Sequence, residues 1–198
     1  MNTPRKRSQR HILLINQRLM DRLRLASVPL GLLLGVVWWQ ATVGKIALLR
    51  PPWDAIPFVS ASVLILIGLF AWIGRNLSYV QARTGHLYVA SPLFHLKISY
   101  QRLQHVHPIE FQRVNPPAKA SWGEKKFLSP FYALTAVEVE LKSFPLDPKL
   151  LRLFFPKQMF SPSGKALILV VKDGMQLITE IDGYWQHWKQ AQRTPTQP

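Results

Sequence analysis

The chain has 198 residues, 48% of them hydrophobic, with 25 Lys+Arg against 10 Asp+Glu and a formal net charge of +15. This length accommodates a small membrane anchor plus one globular domain, and the basic excess points to an anionic partner such as lipid headgroups, nucleic acid or an acidic protein surface. There is no cysteine, which excludes disulfides, thiolate metal sites and a cysteine nucleophile.

Residues 1–24 read as a basic cytoplasmic segment, in which Arg5, Lys6, Arg7, Arg10, Arg18, Arg22 and Arg24 stand against the single acid Asp21. Ile12, Ile15, Leu19 and Leu23 recur at helical spacing. Two readings stay open here. One is a helix in the membrane interface, with Arg18, Arg22 and Arg24 reaching anionic headgroups. The other is an extension of the helix that follows.

Residues 25–44 and 55–74 carry no charge. Each has about the 20 residues that a helix needs to cross a bilayer core of roughly 30 Å. Neither shows a polar face, so both are expected to span a membrane. Pro29 and Pro57 read as first-turn prolines, and Asp54 as a cap for the second helix. Trp38, Trp39, Trp53 and Trp72 lie towards the segment ends, where indole prefers the headgroup region. The first run is too long for a signal peptide and lacks a small-residue cleavage motif. The connection from Lys45 to Asp54 is short, which predicts an antiparallel hairpin with both chain ends on one side. Arginines crowd the N-terminal flank, and Arg75 and Arg83 follow the second span. The positive-inside rule therefore puts both termini in the cytoplasm, at the plasma (inner) membrane, or at the thylakoid membrane of a cyanobacterium.

Residues 75–192 read as one cytoplasmic domain, with 193–198 as a disordered tail. Short alternating runs mark strands at Leu87–Val89, Leu96–Ile98 and Val106–Phe111. Ala136–Lys142 has a clear two-residue period, with Val137, Val139 and Leu141 inward and Glu138 and Glu140 outward. Ala166–Val171 is a compact apolar strand. After Asp173-Gly174, Ile178, Ile181, Trp185 and Trp188 form the stripe of an amphipathic helix that would bury the tryptophans. Residues 112–135 and 143–164 read as inserted loops.

The run YVQARTGHLYVASPLFHLKISYQRLQHVHP (79–108) resembles the opening of bacterial pleckstrin-homology-like (PH-like) domains. Their "[IL]-x-[YW]-x-[RK]-[IL]-x-x-V" segment corresponds here to Ile98 through Val106. Such domains often follow a pair of membrane helices. The resemblance implies an α+β membrane protein: a two-helix transmembrane hairpin followed by a PH-like antiparallel β-barrel with a C-terminal helix.

For chemistry, His105 and His107 share a strand face, with His95 on a neighbouring strand, but no cysteine or carboxylate has ligand spacing; no metal is expected. Glu138 and Glu140 alternate onto a solvated face, and no phosphate loop or nucleophile motif occurs. No enzyme activity and no cofactor are expected. The first hairpin offers Arg83, His95 and Lys97, which departs from the lipid-clamp pattern of phosphoinositide-binding PH domains. The better contact surface is the basic-aromatic stretch Lys119, Trp122, Lys125, Lys126 and Phe127. It would meet an anionic membrane or a protein partner. Nucleic acid is disfavoured, as no nucleic-acid motif appears; a homo-oligomer stays open. The expected function is a non-enzymatic membrane-anchored docking or scaffold protein. An assembly factor for a membrane complex is the first alternative, because a photosystem I assembly protein of cyanobacteria and chloroplasts shares the two-span layout. A transport-associated subunit is the second, although the spans hold no ionisable residue.

Overall fold

The computed structural model describes residues 8–43 and 55–193. It divides into two compact units at Asn16/Gln17 and at Leu77/Ser78. The expected cap Asp54, the interfacial Trp53, the 45–54 connection, the basic residues before Ser8 and the tail from Thr194 lie outside the described residues.

The unit from Gln17 to Leu77 holds two helices. Helix α1 is Leu14–Thr42, whose first turn belongs to the other unit, and α2 is Ala55–Leu77. Of the stretch with helical spacing before residue 25, Ile15, Leu19 and Leu23 thus lie in the first part of α1, as an extension of the apolar helix, while Ile12 belongs to a strand; among the described residues no separate interfacial helix forms. Pro29 accordingly lies inside α1, not in its first turn. The boundary of the uncharged run is not the helix boundary, because arginine and glutamine are good helix formers. Pro57 does sit in the first turn of α2, where a missing N–H is tolerated. The helices pack antiparallel. Trp38 meets Phe58 with ring centroids 4.8 Å apart, and Asp21 pairs with Arg75 at 3.3 Å. Between these ends Gly68 faces Ser27 and Val28, and Gly31 faces Ala61 and Ile65. Such small residues let helix backbones approach closely.

The second unit joins the residues up to Asn16 to those from Ser78 onward. Its first sheet runs β1 (His11–Ile12), β2 (Tyr79–Arg83), β3 (His86–Ala90) and β4 (His95–Ser99), all antiparallel. Two-residue alternation sets its inner face: Val80, Val89 and Leu96 align across strands, as do Ala82, Leu87 and Ile98. Gly85 makes the β2–β3 turn at φ +96, a conformation that side chains with a Cβ disfavour.

The second sheet runs β5 (Leu103–Glu110), β6 (Thr135–Leu141) and β7 (Ala166–Leu169), also antiparallel. A 3-10 turn at Tyr100–Arg102 and a register shift between Leu103 and His105 separate it from the first sheet. The architecture is therefore α+β with two antiparallel sheets, and among the described residues neither closes into the expected barrel. Both sheets contribute to a single apolar core. Four helices complete the unit: α3 (Phe111–Val114), α4 (Trp122–Leu128), α5 (Pro148–Phe154) and α6 (Gly174–Arg193).

The two stretches read as loops thus each contain a short helix. Ser121 and Glu124 form a reciprocal capping box that starts α4, and Asp147 caps α5 by accepting from the Lys149 amide at 2.8 Å. Val106–Phe111 is also redrawn, since Phe111 opens α3 and β5 starts earlier. Glu138 is a further correction. It is 8% exposed and pairs across strands with His107, Nε2 to Oε2 at 3.4 Å. Strand β6 is central in its sheet, and its neighbour Ile168 on β7 is fully buried, so alternation alone does not leave Glu138 in solvent.

Candidate docking surfaces

Three surfaces of the sheet unit combine exposure with chemistry. The first is the outer face of the β1–β4 sheet. Alternation that sends Val80, Leu87 and Ile98 inward turns Tyr79, Tyr88, His95 and Lys97 outward. Tyr79 and Tyr88 lie 5.9 Å apart by ring centroid, and His95 stacks on Tyr88 at 5.7 Å. Arg10 covers Tyr79 at 4.9 Å and Arg83 covers Tyr88 at 4.3 Å, both within cation–π range. Arg83, His95 and Lys97 are therefore brought onto one face, interleaved with aromatic rings. On the same face His86 is pushed below the ordinary histidine range by burial, then by Arg83 and Lys97.

The second surface follows α6. Asp173 caps it by accepting from the Gln176 amide at 3.2 Å, and Leu177, Ile178 and Ile181 anchor it in the core. Trp185 and Trp188 are only half-buried, contrary to expectation, because the last turns of α6 run past the fully buried part of the core. A cavity of about 760 Å³ opens between α6, the Thr84–Gly85 turn and Ser8–Gln9, with Tyr184 and Trp188 in its wall. A second, of about 470 Å³, lies where Leu103 and His105 of β5 face Trp185 and Lys189. Glu180 holds the N-terminal arm against this helix. It accepts from the Gln9 amide at 3.4 Å and lies 3.5 Å from His11 Nε2. Sequence reading found α6 by its periodicity but missed these grooves, because they require the β2–β3 turn and residues 8–9 to reach the helix.

The third surface is α4, the predicted contact stretch. Trp122 is 79% exposed, and Lys126 Nζ lies 5.4 Å from its ring centroid. Lys125 is exposed, and Lys119 lines a shallow pocket with Glu124 and Lys157. Lys157 pairs with Glu124; that bond, then the Ser121 cap, holds the Glu124 carboxyl below the usual carboxylate range. Phe127 must be withdrawn from the contact set. Helical rotation turns it inward, where it is 8% exposed and packs edge-on to Phe131 at 6.3 Å. Arg18, Arg22 and Arg24 all lie on α1 and belong to the two-helix unit.

His95 stands in the first sheet and His105 and His107 in the second, so the topology does not gather them. Among the described residues no group of three metal-ligating side chains occurs. Comparison with protein-family models, with curated proteins and with solved structures finds no match for this chain.

Proposed function

We propose that this chain is a membrane-anchored docking protein. In this reading α1 and α2 cross the bilayer as a hairpin, and both termini and the sheet unit lie in the cytoplasm. The sheet unit is a PH-like module that binds a protein partner or anionic lipid and catalyses no reaction. One observation carries the reading. His11 pairs with Val80 and Ile12 with Tyr79, and the whole two-helix unit lies between them in the chain. A spanning hairpin with both ends on one side satisfies that pairing, whereas a single crossing would tear it apart. The helices supply the apolar surface: only 11% and 22% of their most apolar windows are buried within the protein, where a soluble core helix would be mostly covered. The order of four strands, three strands and a terminal helix supports the PH-like assignment.

Single-cysteine variants test the topology cleanly, because the chain has no cysteine of its own. In intact cells a membrane-impermeant maleimide should label Lys45→Cys. It should label Ser163→Cys only after permeabilisation. Labelling of Lys45→Cys from the cytoplasmic side only would sink the reading. For the docking role, a specific protein should co-purify in mild detergent, or anionic vesicles should be preferred over neutral ones; absence of both removes it.

A further inference from the structure

The β3–β4 turn and α5 meet at one corner of the sheet unit. Phe94 stacks on Phe154 at 4.8 Å, and the Ser91 hydroxyl donates to the Phe154 carbonyl at 3.0 Å. These contacts join the inner side of the corner. Its outer side is apolar and uncovered. Leu150 and Leu153 stand three residues apart on α5, 52% and 74% exposed, and Leu146, just before the Asp147 cap, is 43% exposed. Leu151, on the other side of the same helix, is fully buried. Leu93 at the turn tip adds a fourth leucine, 67% exposed. Lys149 and Arg152 flank the α5 leucines, and residues 142–172 hold six basic side chains against the single acid Asp147, which is occupied as the α5 cap.

The register fixes where this corner lies within the sheet. Tyr79 pairs with Ala90, and Ala90 pairs with His95. The turn from Ser91 to Phe94 is therefore at the same end of the sheet as Ser78, the one residue between α2 and β2. With strands about 4.8 Å apart, the turn begins within roughly 10 Å of that junction.

We infer that this corner inserts into the surface of an anionic bilayer, as a contact additional to the two helices. The inference rests on the reading that α1 and α2 span a membrane. Exposed leucines ringed by lysine and arginine match what an interfacial helix needs: an apolar face in the acyl boundary and cations at the headgroups. A protein partner fits less well, since leucine is under-represented and aromatic anchors are favoured at protein hot spots. A tether of one residue also makes the encounter effectively intramolecular, so a short helix suffices.

The test uses the full chain in vesicles of phosphatidylcholine, with or without phosphatidylglycerol. Leu93, Leu150 or Leu153 is replaced singly by cysteine and carries an environment-sensitive fluorophore. Each corner label should shift to the blue and be quenched by brominated acyl chains, more strongly with phosphatidylglycerol present. A label at Gln186→Cys should not respond. Leu150→Asp combined with Leu153→Asp should abolish quenching at position 93 with circular dichroism unchanged, because both leucines are exposed. Leu66→Cys, in the middle of α2, separates the two hypotheses. If Leu66→Cys is quenched and the corner is not, the inference fails and the spanning reading stands. If Leu66→Cys is not quenched, the spanning reading fails and takes the inference with it. Corner labels shielded in lipid-free detergent and cross-linkable to another chain would show a protein occupant and overturn the inference.

Discussion

His86 shows how a single position ties sheet geometry to pH. Its Nε2 is buried without a hydrogen-bond partner among the described residues, and Arg83 and Lys97 are close enough to oppose a further positive charge. Burial, then these two cations, lowers its folded-state pKa below 6.5. The sign follows from linkage: above 6.5 both states are neutral and nothing is lost. As pH falls below 6.5 the unfolded chain takes up the proton first, so stability declines until pH has passed through the lowered folded value. Replacing His86 with glutamine keeps a polar side chain of similar size and removes the titration. The fall in thermal midpoint between pH 7 and pH 5 should become shallower. An unchanged slope would mean that His86 does not titrate on unfolding. The outward direction of this residue was legible from strand alternation. The cations facing it were not, because Lys97 reaches it through β3–β4 pairing.

At the scale of elements, the two-helix unit depends on backbone approach. A Cβ on Gly68 would lie 2.5 Å from a Val28 methyl and 3.0 Å from the Ser27 hydroxyl. Gly35 on α1 has nothing within 4 Å of the corresponding point. Gly68→Leu should therefore force the helices apart and cost about 1–3 kcal/mol, as overpacking does. Gly35→Leu should be tolerated. Midpoints of denaturing-detergent titrations of the two purified variants would check this, and equal midpoints would refute close packing at Gly68. The hairpin itself was legible in the sequence from two long uncharged runs and a short connection. The extension of α1 back to Leu14 was one of the two readings left open by the helical spacing there, and the sequence did not decide between them, because charged side chains that favour water are equally good helix formers. The helices α4 and α5 were missed for a related reason. Each has seven residues, too few for a periodic signal, and each rests on caps and on tertiary contacts through Leu128 and Leu151.

For the whole molecule, the division of the chain is the main consequence. The sheet unit is discontinuous, and β1 reaches it from before the helices. The Leu14 amide donates to the Val170 carbonyl at 2.9 Å and the Leu13 amide to that of Ser78 at 3.1 Å, while Leu13 and Ile15 are each 1% exposed. Fully burying such a side chain contributes about 1.5–3 kcal/mol. A fragment of residues 78–193 should therefore be markedly less stable than one in which residues 8–16 are joined to 78–193 by a short flexible linker. Thermal unfolding by circular dichroism would compare them, and equal midpoints would show that β1 and its flank contribute nothing. A domain starting at residue 75, as the sequence suggests, omits this strand.

The sequence by itself determined the apolar helical pair, the strand-rich texture after residue 78 and the C-terminal amphipathic helix. Those features are written in local periodicity and charge, which act over a few residues. Tertiary structure alone decided that His11 and Ile12 complete the first sheet, that Glu138 is buried beside His107 and that Phe127 faces the core. It also decided that the β3–β4 turn and α5, which carry exposed leucines, meet at one corner. These depend on pairing between residues far apart in the chain, where burial is set by what a neighbouring element covers.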